Sequence, residues 1–133
     1  MRYFAASLIL MMLAMALFVK CGVPGFKQGE TLYKVHCANC HMEDGLGLQG
    51  VIPPLAGSDY IINNMDSLPC LIRLGRISPI LINGKTYQQP MTANAHLNQY
   101  EISNILNYIT HSWGNNGTII QVDWVENSLK SCQ

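Results

Sequence analysis

Charged residues are scarce in this sequence. Only 12% of its 133 residues are Asp, Glu, Lys or Arg, and the basic and acidic residues balance to a formal net charge of zero. A protein that binds nucleic acid usually presents a basic face to the phosphates, so nucleic acid is not an expected partner. Docking to another protein must then depend on local patches or on apolar contact.

Internal repeats and low-complexity segments are also absent. A chain of 133 residues has room for one domain. It is too short to house a separate catalytic domain as well, so the sequence favours a small single-purpose protein.

One long apolar run stands at the N-terminus. Arg2 gives a short positive start, and residues 3–19 are apolar apart from Ser7. This layout is typical of a secretory signal peptide, and the apolar stretch is short for a membrane span. We predict a signal peptide at residues 1–20, export to the periplasm, and one mature domain at residues 21–133. An uncleaved N-terminal anchor is the alternative.

Cys21 follows this segment directly, and a Cys-Gly start is common among bacterial lipoproteins. Lys20 is a poor match to the small residue expected before a lipidated cysteine. We favour lipidation of Cys21; the several acyl chains of such an anchor would hold the protein to a membrane better than one chain does. Ordinary cleavage nearby, which leaves a free thiol, is the alternative.

Cys37, Cys40 and His41 form a C-x-x-C-H motif, the attachment signature of haem c. On one helical turn the two thiols can each bond a haem vinyl group, and the histidine is then placed under the iron. A zinc site would need a second ligand pair of similar spacing, and a redox C-x-x-C would need a βαβ setting. The sequence offers neither and contains one such motif, so we expect one covalently bound haem c.

Cys70 and Cys132 are the two remaining cysteines. In an exported protein such a pair is expected to form a disulfide. The closed loop of about sixty residues would stabilise the fold by about 3–4 kcal/mol and would pin the C-terminal tail to the core. Two buried free thiols are the alternative.

Hydrophobic spacing predicts a mainly helical domain. Asn98 is a good N-cap with Glu101 at the capping-box position, and Asn83-Gly84 is a turn signal within an apolar segment. The predicted elements are helices at residues 28–41, 60–65, 67–74, 98–113 and 122–129, with a small hairpin within residues 77–87.

In their order and spacing these features resemble a class I cytochrome c over about residues 28–115. The matching elements are the helix ending in Cys-Ala-Asn-Cys-His, a glycine-rich loop into Pro-Pro-Leu-Ala-Gly, a Gln-Pro-Met loop, and the helix opened by Leu97-Asn98. The resemblance implies an all-α cytochrome c fold, with a few helices around the haem and the first and last family helices crossing. Residues from about 115 onward then form a short C-terminal extension.

The resemblance also implies the ligands of the iron. His41 is the proximal ligand and Met91 the distal one, with His96 as the competitor for the distal position. A carbonyl of the Pro-Pro segment accepts the second ring N–H of His41, and the spacing favours Pro53 over Pro54. Methionine as a ligand favours reduced iron and raises the reduction potential.

Other side chains are candidates for supporting roles. Tyr87, Arg73 and Trp113 are candidates for contact with the haem or its propionates. The C-terminal extension departs from the minimal family pattern, and through Cys70 we expect it to brace the Met91 side of the haem.

A haem iron with two protein ligands has no open position for a substrate. The resemblance therefore implies a one-electron carrier, not an enzyme, that exchanges electrons with redox partner proteins in a respiratory or periplasmic chain. The alternatives are a haem-containing subunit of a larger oxidoreductase complex, and a haem enzyme or gas sensor with a labile distal ligand.

Overall fold

The computed structural model describes residues 26–132, so the predicted signal peptide and Cys21 lie outside the described residues. The described range folds into six α-helices, one 3-10 turn and one antiparallel hairpin. In chain order these are α1 (Lys27–His36), α2 (Ala38–His41), α3 (Asp59–Asn63), the 3-10 turn Met65–Ser67, α4 (Leu68–Leu74), β1 (Ile80–Ile82), β2 (Lys85–Tyr87), α5 (Gln99–His111) and α6 (Val122–Lys130). The mainly helical prediction is confirmed. No helix within residues 26–132 is long and apolar enough to cross a bilayer.

The crossing of α1 over α5 forms the centre of the fold. At Gly29 a side-chain Cβ would overlap the backbone carbonyl of Asn104 and approach the Tyr108 Cβ to 2.8 Å. Only glycine therefore allows the two helices to lie this close. Beside the crossing, Tyr33 of α1 is fully buried, and its ring centre lies 5.3 Å from that of Tyr108. The apolar stripe of α5 fills the core with Ile102, Ile105, Leu106 and Ile109.

The first turn of α5 is capped as its sequence predicts. The side-chain oxygen of Asn98 accepts hydrogen bonds from the backbone N–H groups of Tyr100 and Glu101, both at 3.0 Å. The Glu101 carboxylate accepts the Asn98 N–H at 2.8 Å. This reciprocal capping box satisfies backbone donors that a helix start otherwise leaves unpaired.

The segment that carries the cysteine motif is not one continuous helix. The sequence predicts a helix over residues 28–41, but α1 ends at His36 and Cys37 adopts a φ of −125° before α2 begins. The hydrogen bonds on either side of this break end at Cys37: its N–H donates to the Tyr33 carbonyl at 2.8 Å, and its carbonyl accepts the His41 N–H at 2.9 Å. The Cys40 N–H also donates to the Cys37 carbonyl, at 3.1 Å, so Cys37 separates two helical segments.

The C-terminal extension packs against both α4 and α5. The Cys70 and Cys132 sulfur atoms lie 2.00 Å apart. Their Cα atoms lie 5.4 Å apart, within the usual Cα separation of a disulfide. Val125 of α6 is fully buried. The Asn107 amide nitrogen donates to the Ile120 carbonyl at 2.8 Å, and the Ile120 N–H donates back to the Asn107 amide oxygen at 2.9 Å. These contacts attach the extension at two separate points.

Candidate haem site

A cavity of about 440 Å³ lies between α2, residues 52–55, α4 and the loop before α5. Its wall contains all five site residues predicted from the sequence. They are Cys37, Cys40, His41, Pro53 and Met91. Apolar side chains from four helices make up much of the remaining wall. Among them are Ile61, Leu68, Leu71, Ile72, Leu106 and Ile109.

The imidazole of His41 is oriented by the proline segment. Its Nδ1 lies 3.1 Å from the Pro53 carbonyl oxygen. A carbonyl can only accept a hydrogen bond, so Nδ1 carries the proton and Nε2 keeps a free electron pair. Burial lowers the pKa of His41, an effect that the hydrogen bond to Pro53 partly opposes. The ring is thus neutral near pH 7, which is the form that binds a metal.

The loop after His41 brings the Pro53 carbonyl to this position. The Gly47 N–H donates to the His41 carbonyl at 3.0 Å, and the Leu55 N–H donates to the Gly45 carbonyl at 2.7 Å. Gly47 has a φ of +67°, and a Cβ there would come within 2.6 Å of the Pro53 oxygen. The glycine is therefore required both for its backbone conformation and for the close approach of the two chain segments.

The thiols of Cys37 and Cys40 lie on the same cavity wall as His41. Cys37 is half-buried and Cys40 is exposed, and neither forms a disulfide within the described range. Burial raises the pKa of the Cys37 thiol to about 12, with the nearby Cys40 adding to the effect. The two sulfurs and the His41 imidazole line one cavity, which is the arrangement that two thioether bonds and an axial ligand require.

Met91 reaches the cavity from a distant part of the chain. Its N–H donates to the Arg76 carbonyl at 2.8 Å, and the Arg76 N–H donates to the Met91 carbonyl at 2.9 Å. The Asn94 N–H donates to the Ile72 carbonyl at 3.0 Å. Gly75 has a φ of +70°, and a Cβ there would overlap the Met91 carbonyl. Backbone contacts with the end of α4 thus fix the position of Met91.

Polar groups of the wall test whether a haem fits this cavity. Ser58 is 2% exposed, and its hydroxyl lines the cavity without a hydrogen-bond partner. Leaving a buried hydroxyl unpaired costs about 1–3 kcal/mol, so this group fits a polar substituent of a bound cofactor. Arg76 is the one Lys or Arg among the lining residues, which include no Asp or Glu. Thiols, imidazole, thioether, apolar walls and one cation suit a haem with its propionates.

The side chains predicted to support the haem are mostly elsewhere. Tyr87, Arg73 and Trp113 are not among the lining residues, so their proposed contacts are corrected. Trp113 instead donates its indole N–H to the Glu43 carbonyl at 3.1 Å. Ser58 and Arg76 could not be predicted from the sequence, because no local pattern distinguishes them from other loop residues.

His96 is also placed outside the cavity. It does not line the wall, and its ring centre lies 5.1 Å from that of His36 on α1. This placement favours Met91 over His96 as the distal ligand.

Comparison with known proteins agrees with this geometry. The family described as cytochrome c oxidase, cbb3-type, subunit III matches residues 24–109. Cytochrome c-552 of Thermus thermophilus is 33% identical over 90 residues, which cover 65% of this chain and 68% of that protein.

A second group of relatives is much longer than this chain. The cytochrome c subunit of alcohol dehydrogenase (quinone) from Gluconobacter oxydans (strain 621H) is 33% identical over 98 residues, or 71% of this chain. The subunit of the same name from Komagataeibacter europaeus is 32% identical over 98 residues. The matched segments cover only 20% and 21% of these two proteins.

Proposed function

The chain belongs to the class I c-type cytochromes, and from this premise we propose that it is a one-electron carrier whose haem iron is held by His41 and Met91. Its function is haem-based electron transfer, and its cofactor is covalently bound haem c. One observation carries the proposed ligand set: the cysteine motif, the Pro53 carbonyl and Met91 line the same cavity although Met91 comes from a distant segment.

Bound haem supplies an iron that alternates between two oxidation states. The chain's own residues keep the surroundings of the iron nearly the same in both states. His41 offers Nε2 while its Nδ1–H donates to the Pro53 carbonyl. Met91 offers a soft, neutral sulfur, which favours the reduced state. Both ligands are held by backbone hydrogen bonds or by a backbone carbonyl, so little should move when an electron arrives or leaves.

We propose that partners dock by apolar contact near the motif. Val35 is 68% exposed and also lines the cavity, beside the exposed Cys40. The proposed mature domain, residues 21–133, has six Lys or Arg and eight Asp or Glu, and so small a net charge does little to steer a partner over long distances. The association rate with a redox partner should therefore change little with ionic strength.

The second candidate is that the chain is a haem-containing subunit of a larger complex. The observation that favours it is the match to cytochrome c subunits of alcohol dehydrogenase (quinone) over 71% of this chain. In such a complex this chain would still transfer electrons and would leave the chemistry on substrate to another subunit. Purification from native membranes distinguishes a free carrier from a subunit.

The N-terminal predictions complete the proposal. Residues 1–20 act as a signal peptide, residues 21–133 form the mature domain, and Cys21 carries a lipid that tethers the domain in the periplasm. In that oxidising compartment Cys70 and Cys132 are joined as a disulfide. The mass of the mature protein tests these points together, because lipidation, cleavage and the disulfide each change it by a different amount.

Optical spectroscopy with a redox titration tests the electron-carrier proposal. The exported holoprotein should show a low-spin haem in both states, with the methionine–iron charge-transfer band in the oxidised state. A Met65→Leu variant is the control for loss of a methionine that is not a proposed ligand. Met65 also packs against the core but does not line the cavity, so this variant should keep the band. Absence of the band together with ready carbon monoxide binding would support a haem enzyme or gas sensor instead.

A further inference from the structure

Two histidines outside the haem ligand set meet beside the cavity. His36 is the last residue of α1 and lines the cavity wall. His96 is exposed and lies in the loop between Met91 and α5. Their ring centres are 5.1 Å apart and the ring planes are tilted by 55°. The pair therefore connects the two chain segments that supply the cysteine motif and Met91.

The ring nitrogens of this pair are free to bind a ligand. The other two histidines in the described range, His41 and His111, place a ring nitrogen 3.1 and 2.8 Å from backbone carbonyl oxygens. By contrast, neither ring of the pair makes a hydrogen bond within residues 26–132. Neutral imidazole suits Zn²⁺, Ni²⁺ and Cu²⁺. Each metal–nitrogen bond is about 2.0–2.1 Å long for zinc, so two rings on one ion have centres a few ångströms apart, as here.

We propose that His36 and His96 together bind one divalent transition-metal ion at the surface. No group of three or more His, Cys, Asp or Glu side chains within residues 26–132 is placed to hold a metal. Water therefore completes the coordination, and the site is open and exchangeable. The ion would tie the end of α1 to the loop that follows Met91.

A metal at this place has a definite consequence for the haem. Because His36 lines the cavity, a divalent cation bound there adds positive charge next to the haem. Positive charge favours the reduced iron, which carries one charge fewer than the oxidised iron. Metal binding should therefore raise the midpoint potential and, by linking two segments of the folded chain only, raise the melting temperature.

Zn²⁺ is the probe for this site because it has no redox chemistry of its own. Untagged, chelator-treated holoprotein is titrated with Zn²⁺ by calorimetry, and the midpoint potential is measured with and without the ion. Wild type should bind one Zn²⁺ saturably and shift its potential upward. His36→Gln and His96→Gln should each lose both effects, while the control His111→Gln should keep them.

Two further measurements test the proposal. Zn²⁺ should protect both rings of the pair from ethoxyformylation in the wild-type protein, which requires no variant. The methionine–iron band should persist throughout, since neither histidine is a haem ligand. Unsaturable binding, unprotected rings, or retained binding in either His36→Gln or His96→Gln would overturn the proposal.

Discussion

The two walls of the cavity that carry the proposed ligands are built in different ways. The His41 wall, residues 37–56, is one short run of chain held mainly by hydrogen bonds within itself and to Tyr33, although Trp113 and Asn115 also donate to its carbonyls. The Met91 wall joins residues 72–76 to residues 91–94 and is linked to the C-terminus through the sulfurs of Cys70 and Cys132. The first wall is thus mainly local in sequence, whereas the second also depends on the contact of Cys70 with Cys132, 62 residues further along the chain.

This difference predicts which part of the structure should unfold first. A local wall forms whenever its short segment folds, because little chain entropy is lost in bringing its parts together. The Met91 wall forms only when α4, the loop before α5 and the C-terminal extension are all in place. We therefore expect partial unfolding to release Met91 while His41 and the thioether bonds stay on the haem.

Removing each proposed ligand should have the largest effect and should affect the two walls differently. His41→Ala should abolish the normal low-spin spectrum and strongly reduce the yield of holoprotein. Met91→Ala should leave haem attached at Cys37 and Cys40, but the methionine–iron band should vanish, carbon monoxide should bind the reduced iron, and the midpoint potential should fall. Spectra and a redox titration measure these changes. Equal damage from both substitutions would contradict the comparison.

Opening the link between α4 and the C-terminus should have the next largest effect. The double variant Cys70→Ser/Cys132→Ser should lose about 3–4 kcal/mol of unfolding free energy, as expected for a loop of this length. The methionine–iron band should also disappear at a lower urea concentration than the helical circular dichroism. Reduction of the wild-type disulfide should reproduce both changes. An unchanged band and melting temperature would show that the extension does not brace the Met91 wall.

Two glycines allow a matched test of the walls. Gly75→Ala would place a Cβ against the Met91 carbonyl at a φ of +70°, while Gly29→Ala would place one against Asn104. Such overpacking costs about 1–3 kcal/mol. Gly75→Ala should weaken the methionine–iron band selectively, and Gly29→Ala should lower the melting temperature while keeping the band until global unfolding.

A third glycine serves as the control for backbone strain alone. At Gly84, φ is +73° but a Cβ would meet nothing within 4 Å. Gly84→Ala should therefore cost about 1–2 kcal/mol for its left-handed backbone without affecting the band. If Gly75→Ala behaves like Gly84→Ala, the close packing against Met91 does not matter.

The same contrast explains how much could be predicted from the sequence. The cysteine motif, the α5 capping box and the hairpin at Asn83-Gly84 are local patterns, and the structure contains the predicted elements at these places. Contacts between distant segments were harder to predict from the sequence. The bridge between Arg76 and Met91 and the unpaired hydroxyl of Ser58 depend on how loops meet, which no spacing rule encodes.

The break at Cys37 was missed for a different reason. Apolar spacing continues through residues 28–41. A single residue that leaves helical geometry does not change this spacing, although the hydrogen bonds on either side end at Cys37. Periodicity therefore predicted the extent of the segment but not the separation of α1 from α2.

The smallest expected effect concerns a hydrogen bond that supports the His41 wall. The Tyr33 hydroxyl donates to the Met42 carbonyl at 2.6 Å, directly after His41, where Met42 has a φ of +61°. Tyr33→Phe should lower the unfolding free energy by about 0.5–1.5 kcal/mol at neutral pH. The methionine–iron band should be retained. Urea unfolding of the reduced holoprotein measures the change, and Tyr100→Phe, at an exposed site, is the control.

The pH dependence of this variant gives the sharper test of the His41 wall. Burial raises the pKa of Tyr33 above its ordinary value. The unfolded chain therefore loses this phenol proton above about pH 10, while the folded chain retains it. The stability that Tyr33 contributes is complete below that pH and decreases as the pH rises further. Tyr33→Phe should thus show a shallower alkaline loss of stability than wild type and Tyr100→Phe. Identical slopes in all three proteins would mean that burial of the Tyr33 hydroxyl does not hold the chain after His41.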